Sequence, residues 1–408
     1  MTAYKTGITA ILVLLSVTVF GIGLFLLQSP GTAAWTPQEL RTIRSLSLTN
    51  LPPAEDKSNR YAHNEKAIAL GTQLFFDKRL SRNGQVSCAS CHQPDNYFSD
   101  GQTIAMGQDI GRRNTPSLHG IAYNDWFFWD GRKDSLWSQA LAPLENPAEH
   151  DFSRTAVARL ITGDPHYYQA YTEIFGSVEI PDQQTLAADA QPSGSIAQIQ
   201  AWKALPEQQR KQVDRLFANT GKALAAYVTT LKPLQTRFDD YIEALNSEKS
   251  NNQSLLNEQE LRGLRLFISD KAACINCHSG PLLTNQSFHN IGSGGKNDSG
   301  RAAAISRVKL DRFNCLGEYS DAPPNQCQEL KFMQTERHQT WGSFKTPSLR
   351  NVSNTAPYFH DGRYKALSEV LDHYTNAKTE DTHLSVIKLN AQDKLDLIAF
   401  LTTLTANQ

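Results

Sequence analysis

Cys88-Ala89-Ser90-Cys91-His92 and Cys274-Ile275-Asn276-Cys277-His278 decide how the rest of this chain is read. Both are C-x-x-C-H, the attachment pattern of c-type haem. The chemistry accounts for the spacing: two thiols bond the two vinyl groups of one porphyrin, and the adjacent His lies under the ring as an iron ligand. A zinc site would need both Cys pairs to converge and would leave two trailing His residues as coincidence. A redox-active Cys pair does not require the His at all. The chain is therefore expected to carry two covalently bound haems c, held by Cys88, Cys91 and His92 and by Cys274, Cys277 and His278.

The flanks repeat as well. Leu70-Gly71-Thr72-Gln73-Leu74-Phe75 precedes the first motif, and Leu261-Arg262-Gly263-Leu264-Arg265-Leu266-Phe267 precedes the second. Asn114-Thr115-Pro116-Ser117-Leu118 returns as Lys345-Thr346-Pro347-Ser348-Leu349, and Trp129-Asp130-Gly131-Arg132 returns as His360-Asp361-Gly362-Arg363. The same landmarks in the same order imply two copies of one unit. Ala67, Ile68, Leu70, Gly71, Leu74 and Phe75 recur at helical spacing; 203–245, Glu258 to Phe267 and 366–404 also read as helix. No run alternates as a strand would, so the fold class is mainly α.

Residues 36–60 read as a linker, 61–195 as an N-terminal haem domain and 196–408 as a C-terminal one. The boundary falls at an exposed connection over 181–200, marked by Pro181, Gln183, Gln184, Pro192 and Gly194. Residues 284–330, rich in Gly, Asn and Ser, read as a long loop excursion. It holds Cys315 and Cys327, for which a loop-closing disulfide is the expected state in an oxidising compartment, with a free thiol or metal ligand as the alternative.

The chain has 408 residues and a net charge of -1, from 40 Lys plus Arg against 41 Asp plus Glu. That balance argues against a nucleic-acid partner, which would call for a basic face. From Gly7 to Leu27 the chain is almost wholly apolar, about the 20 residues of a spanning helix and longer than an ordinary signal core. Residues 1–35 are therefore expected to be a membrane anchor or a signal sequence. Lys5 on the short N-terminal side places the body in the periplasm, anchored to the inner membrane.

These motifs, with Arg113 to Leu118, Phe128-Trp129-Asp130-Gly131-Arg132, Gly221 to Tyr227, Pro347 to Val352 and Thr355 to Gly362, resemble the bacterial dihaem cytochrome c peroxidase and MauG family from roughly residue 60 to 405. The resemblance implies two cytochrome c-like helical domains in tandem, two unequal haems and a calcium ion between them. It makes the N-terminal haem the peroxide-reactive one. The His that caps its other face in many members falls at Gln108 here, so an open coordination position is expected, with Met106 as a weaker alternative cap. Peroxide cleavage needs a group that moves a proton between the two oxygens. Glu145 and Glu149 are candidates, and the match of Gln139, Pro143 and Glu149 to the family favours Glu149, with Gln139 orienting substrate or water. Trp129 falls where the family relays electrons between haems. Calcium ligands would be the side chain of Asn114 and the backbone oxygens of Thr355 and Pro357.

At the second haem the family commonly places Met opposite the proximal His. That position is Tyr374 here, as in MauG, with His373 and Met333 as alternatives. A hard, anionic phenolate favours ferric iron and a low potential. The surface Trp that MauG uses to oxidise a partner protein falls at Ala272. The implied function is a periplasmic peroxidase reducing hydrogen peroxide to water with electrons from a small cytochrome c, a cupredoxin or a quinol. The alternatives are a MauG-like oxidase that uses a high-valent dihaem state on a protein or small-molecule substrate, and a pure electron-transfer protein. Family peroxidases are often dimers, so a homodimer is also allowed.

Overall fold

The periodic apolar stretches fold as helices. In the computed structural model those of nine or more residues are α1 (Pro37–Ser45), α2 (Glu65–Phe76), α3 (Leu136–Glu145), α4 (Arg154–Gly163), α5 (Pro165–Phe175), α6 (Ile196–Ala204), α7 (Glu207–Thr229), α8 (Arg237–Asn246), α9 (Glu258–Phe267), α10 (Arg301–Leu310), α11 (Leu367–Asn376) and α12 (Ala391–Thr402). The structure describes residues 34–177, 186–247, 255–294, 298–377 and 382–406. The apolar tract at 7–27, and with it the expected anchor, lies outside them. No helix among the described residues is long and apolar enough to cross a membrane. The only named strands there, β1 (Phe288–His289) and β2 (Phe344–Lys345), form one antiparallel pair with Phe288 opposite Lys345.

Local chemistry starts the key helices. Asn64 caps α2 by accepting from the amide of Ala67, and Asn257 with Glu260 forms a capping box on α9. Each of these helices then crosses a later one at a glycine. A Cβ on Gly71 of α2 would stand 1.9 Å from the carbonyl oxygen of Ala223 on α7. A Cβ on Gly263 of α9 would stand 1.9 Å from that of Asp396 on α12. Only glycine permits such approaches, and they fall at equivalent places in the two repeats.

Two large hydrophobic cores result, beside a small cluster of Trp126, Val308 and Leu330. The first gathers residues from Leu70 to Val228, Trp137 and Phe217 among them; the second gathers Ile43, Leu46 and residues from Phe238 to Leu404. This corrects three expectations. The stretch 36–60 is no free linker: α1 drops Ile43 and Leu46 into the second core at 0% exposure, and Trp35 Nε1 donates to the hydroxyl of Tyr241 at 2.6 Å. The break between cores falls between Val228 and Phe238 rather than at 195/196, because α7 supplies its apolar face to the first core. Leu186, Ala190 and Gln191, expected in an exposed connection, are buried.

The excursion at 284–330 contains α10 and does more than loop outward. Phe313 and Tyr319 complete the first core from the second half of the chain. Cys315 and Cys327 are disulfide-bonded, with Cα atoms 5.7 Å apart. The amide of Cys315 donates to Asp134 at 2.8 Å, and Lys222 pairs with Asp321 at 2.7 Å. Arg312 and Arg154 share the fully buried Asp214.

Candidate active site

Each C-x-x-C-H motif closes one tight turn. The amide of His92 donates to Cys88 and that of His278 to Cys274, both at 2.9 Å. Positions i, i+3 and i+4 of such a turn share a face, which groups the two thiols with the imidazole. Nδ1 of His92 lies 3.0 Å from the carbonyl of Phe98, and Nδ1 of His278 lies 3.0 Å from that of Leu283. A carbonyl only accepts, so Nδ1 carries the proton and Nε2 keeps the lone pair a metal requires. Burial pushes both imidazoles below their ordinary range, His278 to about 4. The four motif thiols are unpaired. Burial pushes Cys88 and Cys274 up to about 12 and Cys91 up to about 11. No cluster of three or more metal-ligating side chains occurs among the described residues.

A cavity of about 350 Å³ opens against the second motif. Cys274, Cys277 and His278 line it, with Phe267, Leu371 and Leu401 as apolar walls and Tyr374 of α11 completing it. No Asp or Glu is among the lining residues. Burial, reinforced by the facing Cys274 and Cys277, raises the Tyr374 phenol above its ordinary value. The alternatives to Tyr374 are engaged elsewhere. His373 uses both ring nitrogens, Nε2 at 2.7 Å from the Ile291 carbonyl and Nδ1 at 3.0 Å from the Tyr364 hydroxyl. Met333 accepts from Arg301 at 3.4 Å and packs against the cluster of Trp126, Val308 and Leu330. Thiols, a lone-pair imidazole nitrogen, a phenol and apolar walls make a cradle that fits a porphyrin.

Beside the first motif stands Glu149. Its charge raises the Cys88 and Cys91 thiols further. Burial holds its own carboxyl above the ordinary value, with the Asn146 amide, 2.5 Å away, and the Arg132 charge pulling back. Glu145 is already committed: Arg154 grips both its oxygens at 2.9 Å. Gln139 is half-buried on α3, in the turn before Pro143. Gln108 is fixed by its amide on the Glu149 carbonyl at 2.9 Å, and its side chain donates to Asn83 at 2.8 Å. Met106 is 66% exposed.

Trp129, Asn114, Thr355, Pro357 and His360 all line the cavity where the two halves meet. The indole of Trp129 donates to the Asn114 carbonyl at 2.9 Å. Asn114 directs its amide nitrogen to Gln102 at 2.8 Å, which leaves its amide oxygen as the acceptor. His360 stacks on Phe344 at 3.7 Å and lies 3.4 Å from Asp298, which Arg113 also holds. Burial keeps His360 neutral, down at about 4. Trp126 is not among the cavity-lining residues: Arg301 covers it at 3.9 Å. Sequence reading singled out neither Asp298 nor the Lys345 side chain. Asp298 sits in no repeated motif, and Lys345 was visible only as the first letter of one.

The paired attachment turns define a c-type protein with two haem sites, and comparison with known proteins agrees. The profile of the family described as di-haem cytochrome c peroxidase matches residues 65–247. The methylamine utilization protein MauG of Methylorubrum extorquens is 34% identical over 345 residues, 83% of this chain and 78% of that one. The cytochrome-c peroxidase IdrP1 of Pseudomonas sp. (strain SCT) is 28% identical, covering 94% of this chain and 92% of its own. A crystal structure of a MauG-like protein associated with microbial copper homeostasis superposes with a TM-score of 0.60 at 27% identity, covering 91% of this chain and 95% of that chain. The chain belongs to the dihaem cytochrome c peroxidase and MauG family, and it is an oxidoreductase with two haems c.

Proposed function

We propose that this protein reduces hydrogen peroxide to water in the periplasm, drawing electrons from a small cytochrome c, a cupredoxin or a quinol. The observation that carries the reading is Glu149: a half-buried carboxyl beside Cys88 and Cys91, with the neighbouring Glu145 consumed by Arg154. Cys88, Cys91 and His92 hold the first haem, and Cys274, Cys277, His278 and Tyr374 hold the second. When bound, the haems supply the iron that takes peroxide and the store of electrons. Glu149 accepts a proton from one peroxide oxygen and returns it to the other, which leaves as water. Gln139 orients the substrate. Gln108, whose side chain donates to Asn83, would supply no cap to the first haem. Trp129 passes electrons between the halves. Asn114, with the backbone oxygens of Thr355 and Pro357, offers a hard cation such as calcium neutral oxygen ligands at that seam. The disulfide of Cys315 and Cys327 supports an oxidising compartment, and the tract at 7–27 anchors the body to the inner membrane.

Steady-state peroxide consumption with a reduced cytochrome donor tests this, and failure to turn over with any of the three donor classes rejects it. Tyr374 on the cavity wall favours a second reading, a MauG-like oxidase; Ala272, buried where that enzyme's exit Trp would stand, weighs against its known form.

A further inference from the structure

We propose that Lys345 is the anchor for a carboxylate of the second haem. Lys345 lies on β2 at the seam, only 9% exposed, and lines the same cavity as Cys274 and His278. Its backbone amide is committed to the Trp129 carbonyl at 2.8 Å. Its ammonium takes part in none of the ion pairs among the described residues. The acid that acts on it is Asp125, solvent-exposed and beyond ion-pair reach. The other cation on the cavity wall, Arg350, is satisfied by Asp239 at 2.6 Å and by the Leu46 and Pro281 carbonyls. The cavity itself offers no carboxylate. A buried ammonium without a paired counter-charge is costly, and among the described residues only the distant Asp125 offsets it.

The repeat removes the bland explanation. The equivalent residue in the first half is Asn114, which opens the same Thr-Pro-Ser-Leu turn without a charge. The turn therefore does not require Lys. A porphyrin entering this cavity brings carboxylates with it, and an anion is what the wall lacks. Burial pushes the Lys345 ammonium down to about 8, and a carboxylate partner would draw it back up.

A fixed positive charge beside the second haem stabilises the reduced iron. K345Q, purified with both haems, is expected to shift that haem's reduction equilibrium at least tenfold toward the oxidised form, about 59 mV for one electron, with the first haem unmoved. K345R should restore the wild-type potential. Loss of the second haem in K345Q with retention in K345R supports the same anchor. The proposal is overturned by an unmoved potential in K345Q, or by a K345R shift as large as that of K345Q. It is also overturned if added acetate alters the wild-type potential saturably and that response disappears in K345Q, since Lys345 would then serve a free anion. The inference rests on the two-haem assignment and not on peroxide turnover, so the two can fail separately.

Discussion

The backbone amide of Asn114 donates to the carbonyl of His360 at 3.0 Å. The counterpart bond runs the other way: the amide of Lys345 donates to the carbonyl of Trp129 at 2.8 Å. Asn114 and Lys345 are equivalent in the sequence repeat, and so are Trp129 and His360, so the halves exchange one motif for the other across a pseudo-twofold seam. The symmetry extends further. Phe128 and Phe359 both adopt left-handed φ, 65° and 71°. Ser117 donates to the Tyr97 carbonyl at 2.5 Å and Ser348 to the Leu282 carbonyl at 2.7 Å. What breaks the symmetry is chemistry: one half has an indole where the other has an imidazole, and an amide where the other has an ammonium.

Glu149→Gln should lower peroxide turnover by about 10²-fold or more, the range for a lost general acid–base group, with both haem spectra unchanged. A base works only when deprotonated, and burial raises this carboxyl above its ordinary 4.5. Activity should therefore fall on acidification at a pH above 4.5, and E149Q should lose that limb of the profile. Unchanged turnover in E149Q would remove its role. Glu145→Gln, by contrast, should cost stability, because it strips half of the Arg154 pair.

Tyr374→Met should raise the second haem's potential. A thioether favours ferrous iron, whereas a phenolate favours ferric. Potentiometric titration reads this directly, and an unmoved value would reject Tyr374 as ligand.

An open face on the first haem predicts a high-spin ferric signal by electron paramagnetic resonance in the resting protein, without prior reduction. A spectrum holding only low-spin species would mean that some side chain, Met106 for instance, caps the iron.

Much of this was legible because it is local. C-x-x-C-H spacing, the Gly71 and Gly263 repeats and the Asn257 to Phe267 helix need only near neighbours. What escaped the sequence depends on long-range partners. Pro52 and Pro53 gave 36–60 the texture of a linker, and nothing local shows that Ile43 and Leu46 dock on Phe238 and Tyr241. Pro192 and Gly194 suggested a boundary, yet the chain continues through α7 back into the first core. The spacing of Gln139, Pro143 and Glu149 favours Glu149 over Glu145, but that Arg154 closes on Glu145 is a long-range contact no local pattern shows.

Gly263→Ala should destabilise the second half selectively. The added methyl meets the Asp396 carbonyl carbon at 2.6 Å and the Phe400 Cβ at 2.8 Å, and backbone cannot step aside as a side-chain tip can. Overpacking of this kind costs about 3 kcal/mol. Thermal melts monitored at the second haem should show the loss, and an unchanged midpoint would mean that the helices separate freely.

Replacing Cys315 and Cys327 with serine tests whether the strap from the second half stabilises the first. The disulfide closes a short loop, for which chain entropy suggests about 3 kcal/mol, or roughly 6–12 °C in Tm for a domain of this size. The strap also carries Phe313 and Tyr319 into the first core and brings Arg312 onto Asp214. A loosened strap should therefore expose Asp214 and leave Arg154 short of a partner. The melt of the first half should drop while that of the second, whose core includes no strap residue, should hold. If both halves melt together and unchanged, the strap is held by its packing alone; Phe313→Ala, which hollows the core directly at a cost of about 3–5 kcal/mol, should then lower the first half where the serine pair did not.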